Sequence, residues 1–91
     1  MRVRIFATLR PIVGSAEVPV ETQAGQTVGD LLDEMVTRWP DLRPEMLDGN
    51  GDLLKRIHIF VNGRSLRYLE GLDTVIGESD DIRIFPPVGG G

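Results

Sequence analysis

The sequence predicts an α+β fold in which one mixed β-sheet wraps around a single main helix. Its 91 residues suit one small domain with one core. An alternating apolar pattern opens the chain, a helical apolar stripe with a proline stop follows, and short alternating segments flank an Asn-Gly turn. Alternation is typical of half-buried strands, and apolar spacings of three and four residues are typical of amphipathic helices.

The first predicted strand covers residues 2–10, where apolar side chains occupy every second position. The turn-rich segment 11–15 leads to a second, weaker strand at 16–22, so the two strands form a hairpin. Pro19 places this second strand at a sheet edge, because proline cannot donate a hydrogen bond to a ladder. The residues of the first strand that are expected to face the core are Val3, Ile5, Ala7 and Leu9.

The main helix is expected to begin after Thr27 and to end before Pro40. Thr27, with Asp30 three residues later, is typical of an N-cap with acidic support at the positive helix end. Pro40 stops the helix and restricts the residue before it. The apolar stripe that is expected to pack on the sheet consists of Val28, Leu31, Leu32, Met35, Val36 and Trp39.

The segment after this helix, residues 41–56, is expected to be irregular, with turns at Pro44 and around Asn50. A third strand is predicted at 57–61. Asn62-Gly63 after it is a strong hairpin signal, and it predicts a short fourth strand at 64–68.

A loop at 69–79 and a fifth strand at 81–85 complete the predicted domain, and two prolines end that strand. The order β-β-α-β-β-β predicts a β-grasp, or ubiquitin-like, roll. In such a roll the first and last strands lie side by side and parallel at the sheet centre. The predicted organisation is therefore a domain at 1–87 and a flexible glycine tail at 88–91.

Composition excludes several classes of function. Ten Lys and Arg against 14 Asp and Glu give a net charge of −4, which disfavours nucleic acid as a partner. The absence of cysteine excludes disulfides and thiol catalysis, and His58 alone supports no catalytic triad. Asp48-x-Asn50-x-Asp52 lacks the glycine and glutamate of a calcium loop, so no metal site is predicted.

The pattern also predicts a cytoplasmic protein. No apolar run approaches the roughly 20 residues that a membrane helix needs. The N-terminal residues lead into a strand-like pattern and do not resemble a signal peptide.

The C-terminal run from Pro86 to Gly91 carries the first functional signal. Two prolines end the last strand and stiffen the exit, and three glycines follow Val88. Glycines without side chains can thread a channel too narrow for other residues, and four extended residues reach roughly 13–14 Å. We therefore expect the tail to carry its carboxylate into a pocket of another protein.

A second functional signal lies on the sheet face that points away from the helix. If alternate residues of the central strands face the core, all three phenylalanines of the chain face outward together. Aromatic side chains clustered beside arginines are typical of a docking surface. The alternative is that loops or the segment after Pro40 cover them. The expected partner-binding face consists of Phe6, Phe60, Phe85, Arg4, Arg83 and His58.

Together these features resemble the ThiS/MoaD sulfur carriers, which include the small subunit of molybdopterin synthase. The long segment 41–56 makes the chain more similar to the molybdopterin and cysteine-biosynthesis carriers than to the shorter thiamin carrier. The family usually ends in two glycines and this chain ends in three, so trimming of Gly91 before activation stays open. The motifs that carry the resemblance are Phe60-Val61-Asn62-Gly63, Gly71-Leu72, Asp80-Asp81 and Phe85-Pro86-Pro87-Val88 with the terminal glycines.

The resemblance implies that a ubiquitin-activating-like adenylyltransferase uses ATP and magnesium to adenylate the Gly91 carboxylate. Val88, Gly89 and Gly90 would thread the channel of that partner. A sulfur donor protein would then displace AMP to leave a thiocarboxylate, from which a sulfur-accepting synthase takes sulfur. The chain would act as a protein co-substrate, not as an enzyme, and would bind no cofactor of its own.

Among the pathways that could receive the sulfur, the resemblance favours molybdopterin or cysteine biosynthesis. Thiamin, a thiolated tRNA and a secondary metabolite stay open. Two other functions stay open. A ubiquitin-like modifier would be joined to lysines of other proteins through the same tail, and a passive β-grasp interaction module would not use the tail at all.

Overall fold

A five-stranded mixed sheet carries one main helix in the computed structural model, which describes residues 1–87. The predictions for the tail at 88–91 therefore lie outside the described residues. The strands are β1 (Arg2–Ile5), β2 (Glu17–Pro19), β3 (His58–Val61), β4 (Arg64–Ser65) and β5 (Ile82–Phe85). The α-helices are α1 (Arg10–Val13), α2 (Val28–Arg38) and α3 (Arg43–Met46).

The order of the strands across the sheet is β2-β1-β5-β3-β4. β1 and β5 pair in parallel at its centre, and the other neighbouring strands pair antiparallel. This arrangement confirms the predicted β-grasp roll with its first and last strands side by side. Pro19 lies in the edge strand β2, as its missing N–H requires.

The first strand is shorter than predicted, because the backbone turns after Phe6. The N–H of Phe6 still donates to the carbonyl of Ile84 at 3.2 Å, but a 3-10 turn at Ala7–Leu9 and then α1 follow. Ala7 has φ 52°, a left-handed conformation that interrupts a strand. The prediction that Ala7 faces the core is wrong, since it is exposed, whereas the turn buries Leu9.

Prolines and short turns explain the differences elsewhere in the chain. Pro44, interpreted as part of a turn, lies in the first turn of α3, where its missing N–H leaves no helical bond unmade. Pro40 likewise begins a 3-10 turn at Pro40–Leu42, so the segment after α2 is more regular than predicted. β4 ends at Ser65, whose hydroxyl caps a 3-10 turn at Leu66–Tyr68.

Helix α2 begins and ends where the sequence predicts. Thr27 Oγ1 accepts from the Asp30 N–H at 3.1 Å, and Asp30 Oδ2 accepts from the Thr27 N–H at 3.0 Å. This reciprocal capping box satisfies two backbone donors that would otherwise lack partners. Trp39 is half-buried beyond the helix end, under the guanidinium of Arg38. The buried face of the helix consists of Val28, Leu31, Leu32, Met35 and Val36.

A carboxylate on α2 holds the segment that follows β2. Glu34 accepts hydrogen bonds from the backbone N–H groups of Glu21 and Thr22 at 2.7 and 2.8 Å, and from the Thr22 hydroxyl at 2.7 Å. Arg38 Nη1 adds a fourth donor at 3.3 Å. Burial raises the pKa of Glu34, but these four hydrogen bonds outweigh it and bring the pKa below its ordinary value.

Replacing Glu34 with glutamine is expected to lower the free energy of unfolding by about 1–3 kcal/mol near neutral pH. Because folding lowers the pKa of Glu34, the ionised carboxylate stabilises the fold at every pH above the ordinary pKa of a glutamate. That contribution is lost as the pH falls through the folded pKa. Urea unfolding of the wild type and of Glu34→Gln, from neutral pH into the acid range, measures the difference between their free energies of unfolding. This difference should shrink as the pH falls.

The matched control is Asp33→Asn, which removes an exposed carboxylate from the adjacent helix position. It should change the free energy of unfolding by much less than Glu34→Gln. Equal effects of the two substitutions at every pH would contradict a structural role for the Glu34 carboxylate.

Candidate functional site

The three phenylalanines that the sequence places on the outer sheet face lie in contact. The rings of Phe6 and Phe85 stack with centroids 4.2 Å apart and an interplanar angle of 11°. Phe60 meets Phe85 edge-on, with centroids 5.5 Å apart and an interplanar angle of 87°. Phe85 is the middle ring, because β5 lies between β1 and β3. We call these three side chains the phenylalanine cluster.

The sheet register explains why the rings meet. β5 pairs its Phe85 with His58 of β3 and its Arg83 with both Phe60 of β3 and Arg4 of β1. In each of these strands the residues between the paired ones are buried against the core. The paired residues named here therefore lie on the sheet face that points away from the core. Each ring is half-buried rather than fully exposed, since the rings cover one another. The segment after Pro40 contributes Leu42 and Met46 to the core.

The charges around the phenylalanine cluster are mostly positive. Arg83 Nε donates to Asp81 Oδ2 at 2.9 Å, and both side chains are partly exposed. Arg4 is exposed and has no carboxylate within ion-pair distance in residues 1–87. His58 is half-buried beside Phe85. The cluster therefore presents apolar rings with a cationic rim.

Arg10 also belongs to this site, although the alternation of the first predicted strand does not indicate it. Its guanidinium carbon lies 5.2 Å from the centroid of the Phe6 ring, and its Nε donates to the carbonyl of Ile5 at 2.7 Å. A straight strand over residues 2–10 would carry Arg10 away from Phe6. The left-handed backbone of Ala7 turns it back, and alanine gives no sequence signal for that conformation.

A shallow groove of about 470 Å³ runs beside Phe85. Both aromatic rings and polar groups line it, so it can receive a side chain from another protein. Its lining residues are Phe60, Asn62, Gly63, Asp81, Arg83 and Phe85.

The last strand leads from the phenylalanine cluster toward the tail. Pro86 is buried and Pro87 is exposed, and the chain continues into Val88 and the glycines. A protein that binds the cluster would therefore hold this chain within six residues of Gly91, a reach of roughly 20 Å when the chain is extended. The roles predicted for residues 88–91 stay predictions.

Within residues 1–87, no group of three or more acidic or histidine side chains is arranged to hold a metal ion. None of the helices in this part of the chain has both the length and the apolar character needed to cross a membrane. What the geometry does bring together is the phenylalanine cluster and its cationic rim, at the end of the strand that precedes the two prolines.

Comparison with known proteins identifies a family and several similar proteins of known structure. The ThiS family model matches residues 3–91. Small archaeal modifier protein 1 of Haloferax volcanii is 33% identical over 91 residues, with both chains covered completely. Its crystal structure matches with a TM-score of 0.84 and 32% identity, covering 99% of this chain and 97% of that chain.

Two further matches are sulfur carriers or contain one. The sulfur carrier protein CysO of Mycobacterium tuberculosis is 29% identical over 91 residues, covering 98% of this chain and 96% of the relative. A chain in the crystal structure of the Amycolatopsis orientalis BexX/CysO complex matches with a TM-score of 0.83 and 26% identity, covering 99% of this chain and 98% of that chain. The similar proteins therefore include sulfur carriers and protein modifiers.

Proposed function

This chain belongs to the ThiS family, and we propose that it is a sulfur carrier whose Gly91 carboxylate is converted to a thiocarboxylate. One observation carries the proposal. The central strand β5 runs from the phenylalanine cluster into two prolines and the glycine run, and the family match extends through residue 91. A sulfur carrier, CysO, aligns over nearly the same length.

The chemistry begins with the low reactivity of a carboxylate, which has no good leaving group. The Gly91 carboxylate attacks the α-phosphorus of ATP, and pyrophosphate leaves. A sulfide equivalent from a sulfur donor then attacks the acyl carbon, the bond to AMP breaks, and a thiocarboxylate remains. The ionised sulfur is a nucleophile comparable to a low-pKa thiolate. The activating enzyme supplies the catalytic groups and binds ATP and magnesium, so this chain is a co-substrate.

The phenylalanine cluster is the surface on which the activating enzyme docks in this proposal. Phe6 and Phe85 offer a preformed aromatic stack, and Arg4 and Arg10 offer exposed cations at its border. Aromatic anchors surrounded by a charged rim are typical of protein interfaces. The crystallised complex of CysO with BexX supports the expectation that a chain of this fold engages its partners directly.

Protein modification is a second candidate function. Two small archaeal modifier proteins of Haloferax volcanii, 1 and 3, are 33% and 30% identical to this chain over 91 residues. The same acyl adenylate would then be attacked by the amine of a target lysine to form an isopeptide bond. The two functions share the activation step and differ in the final nucleophile, sulfide or amine.

Intact-mass measurement of protein isolated from its own cells separates these functions. We expect a fraction of the chain to be heavier by the difference between one sulfur and one oxygen atom. Cleavage after Arg83 should place that difference in the peptide 84–91, and alkaline hydrolysis should remove it. Protein made in cells that lack the activating enzyme is the control, and it should show no mass difference.

Isopeptide conjugates through Gly91, with no thiocarboxylate under any supply of sulfur, would instead establish the modifier function. If cells that contain the activating enzyme yield neither the thiocarboxylate nor the conjugates, the passive interaction module is the remaining function. The pathway that receives the sulfur, molybdopterin or cysteine biosynthesis, follows from which synthase accepts the thiocarboxylate.

A further inference from the structure

A second groove, of about 430 Å³, lies beside strand β4 at the edge of the sheet. The groove beside Phe85 shares no lining residue with it. We call it the basic groove, and its lining residues are Leu53, Leu54, Lys55, Ile57, Ser65 and Arg67. We propose that the basic groove binds an acidic segment of a partner protein that carries an apolar side chain.

Charge is the first argument. Two of the six lining residues, Lys55 and Arg67, are cations and none is acidic. The segments that contain them, 52–57 and 64–68, hold four of the ten cations of the chain and one carboxylate, that of Asp52. The chain as a whole has more acids than bases. A basic site on an acidic protein concentrates a local positive potential and attracts anionic partners. The four cations are Lys55, Arg56, Arg64 and Arg67.

None of these four cations is neutralised by the part of the fold that the structure describes. All four are exposed, and the ion pairs of residues 1–87 involve other arginines, namely Arg2, Arg38 and Arg83. Arg67 Nη2 donates to the backbone carbonyl of Lys55, which leaves its other N–H groups free for a ligand. A carboxylate bound here would thus meet donors that have no competing anion.

The shape of the groove is the second argument. Leu53 and Leu54 are half-buried and Ile57 is buried, so the floor is apolar. The Arg67 side chain connects the two segments that line the groove through its bond to the Lys55 carbonyl. An apolar side chain fits the floor while neighbouring carboxylates meet the walls.

The composition of the rim favours a protein partner. Tyr68, next to Arg67, is 85% exposed, and tyrosine and arginine are enriched in protein interfaces. Nucleic acid would meet repulsion from the 14 carboxylates of the chain. Ser65 of the basic groove pairs with Phe60 of the phenylalanine cluster, so the two surfaces are neighbours on the sheet although their grooves share no lining residue.

The test uses the full chain, labelled with ¹⁵N, and a short synthetic peptide of glutamates around one leucine. Amide shift changes on titration are expected in residues 53–57 and 64–68. Lys55→Glu should weaken binding about tenfold, since it replaces an attraction with a repulsion. Arg67→Glu should do the same. The matched control is Arg43→Glu on α3, an exposed cation outside the groove, which should retain the wild-type affinity.

Other probes separate the possible ligands. A peptide of lysines around one leucine should not bind, and a glutamate peptide without leucine should bind more weakly. Shift changes confined to the phenylalanine cluster, or equal loss in Arg43→Glu and Lys55→Glu, would overturn the proposal. So would tighter binding of a single-stranded oligonucleotide. None of these outcomes depends on thiocarboxylate formation, so failure here leaves the proposed function intact.

Discussion

Deleting Gly90 and Gly91 is expected to abolish AMP-dependent activation while the melting temperature stays nearly unchanged. The new terminal carboxylate, on Gly89, would fall about 7 Å short of the position that Gly91 reaches. The buried apolar core runs from Val3 to Ile84, so the deletion removes none of it. ATP–pyrophosphate exchange with the cognate activating enzyme measures activation, and circular dichroism measures melting.

Deleting Gly91 alone is the informative companion variant. If that protein is still activated, the third glycine is trimmed or tolerated and Gly90 is the acceptor. If it is inactive, Gly91 is the activated residue. Adenylation of the protein that lacks both residues would refute the assignment of function to the tail.

Phe85→Asp is expected to weaken binding of the activating enzyme about thirtyfold, which corresponds to about 2 kcal/mol. The substitution removes the middle ring of the phenylalanine cluster and places a charge where a partner would exclude water. Its effect on stability should be smaller, about 0.5–1.5 kcal/mol from the lost ring stacking. Leu32→Ala, in the buried face of α2, should instead lower stability by about 2–5 kcal/mol through a cavity.

Both quantities should be measured on the same variants, by urea unfolding and by calorimetric titration with the activating enzyme. Tyr68→Asp is the matched control, because it also exchanges an aromatic ring for a charge, but Tyr68 is exposed and makes none of the ring contacts of the cluster. If Phe85→Asp unfolds the domain as severely as Leu32→Ala, Phe85 contributes to the core and not to docking. Equal loss of binding in Tyr68→Asp would show a general effect of charge.

The elements that could be predicted are those with a local physical signal. The capping box at Thr27 and the stop at Pro40 fixed both ends of α2, and alternation identified the central strands. Ala7 shows what could not be predicted, because its left-handed conformation results from tertiary contacts and not from its own preference. Pro44 carried an ambiguous signal, since proline is compatible with both a turn and the first turn of a helix.

The residues of the site also fall into those that the sequence could predict and those that it could not. The contact among Phe6, Phe60 and Phe85 follows from strand register, because a two-residue period and the β-grasp topology determine which side chains share a face. Arg10 was missed because its position depends on the turn at Ala7. The basic groove was not predicted. Its lining residues come from the segments expected to be an irregular stretch at 41–56 and a strand at 64–68, and neither pattern indicates that the two meet.

The parallel pairing of β1 with β5 has a consequence for synthesis of the protein on the ribosome. The strand made first needs the strand made last as its neighbour, and β2 alone cannot complete the centre of the sheet. Such long-range pairing delays folding until the distant partner is present. A chain that stops before β5 lacks the middle strand of the sheet, and we expect proteases to cleave it more readily than the complete domain. A completely folded domain therefore always contains the strand that immediately precedes the glycine run.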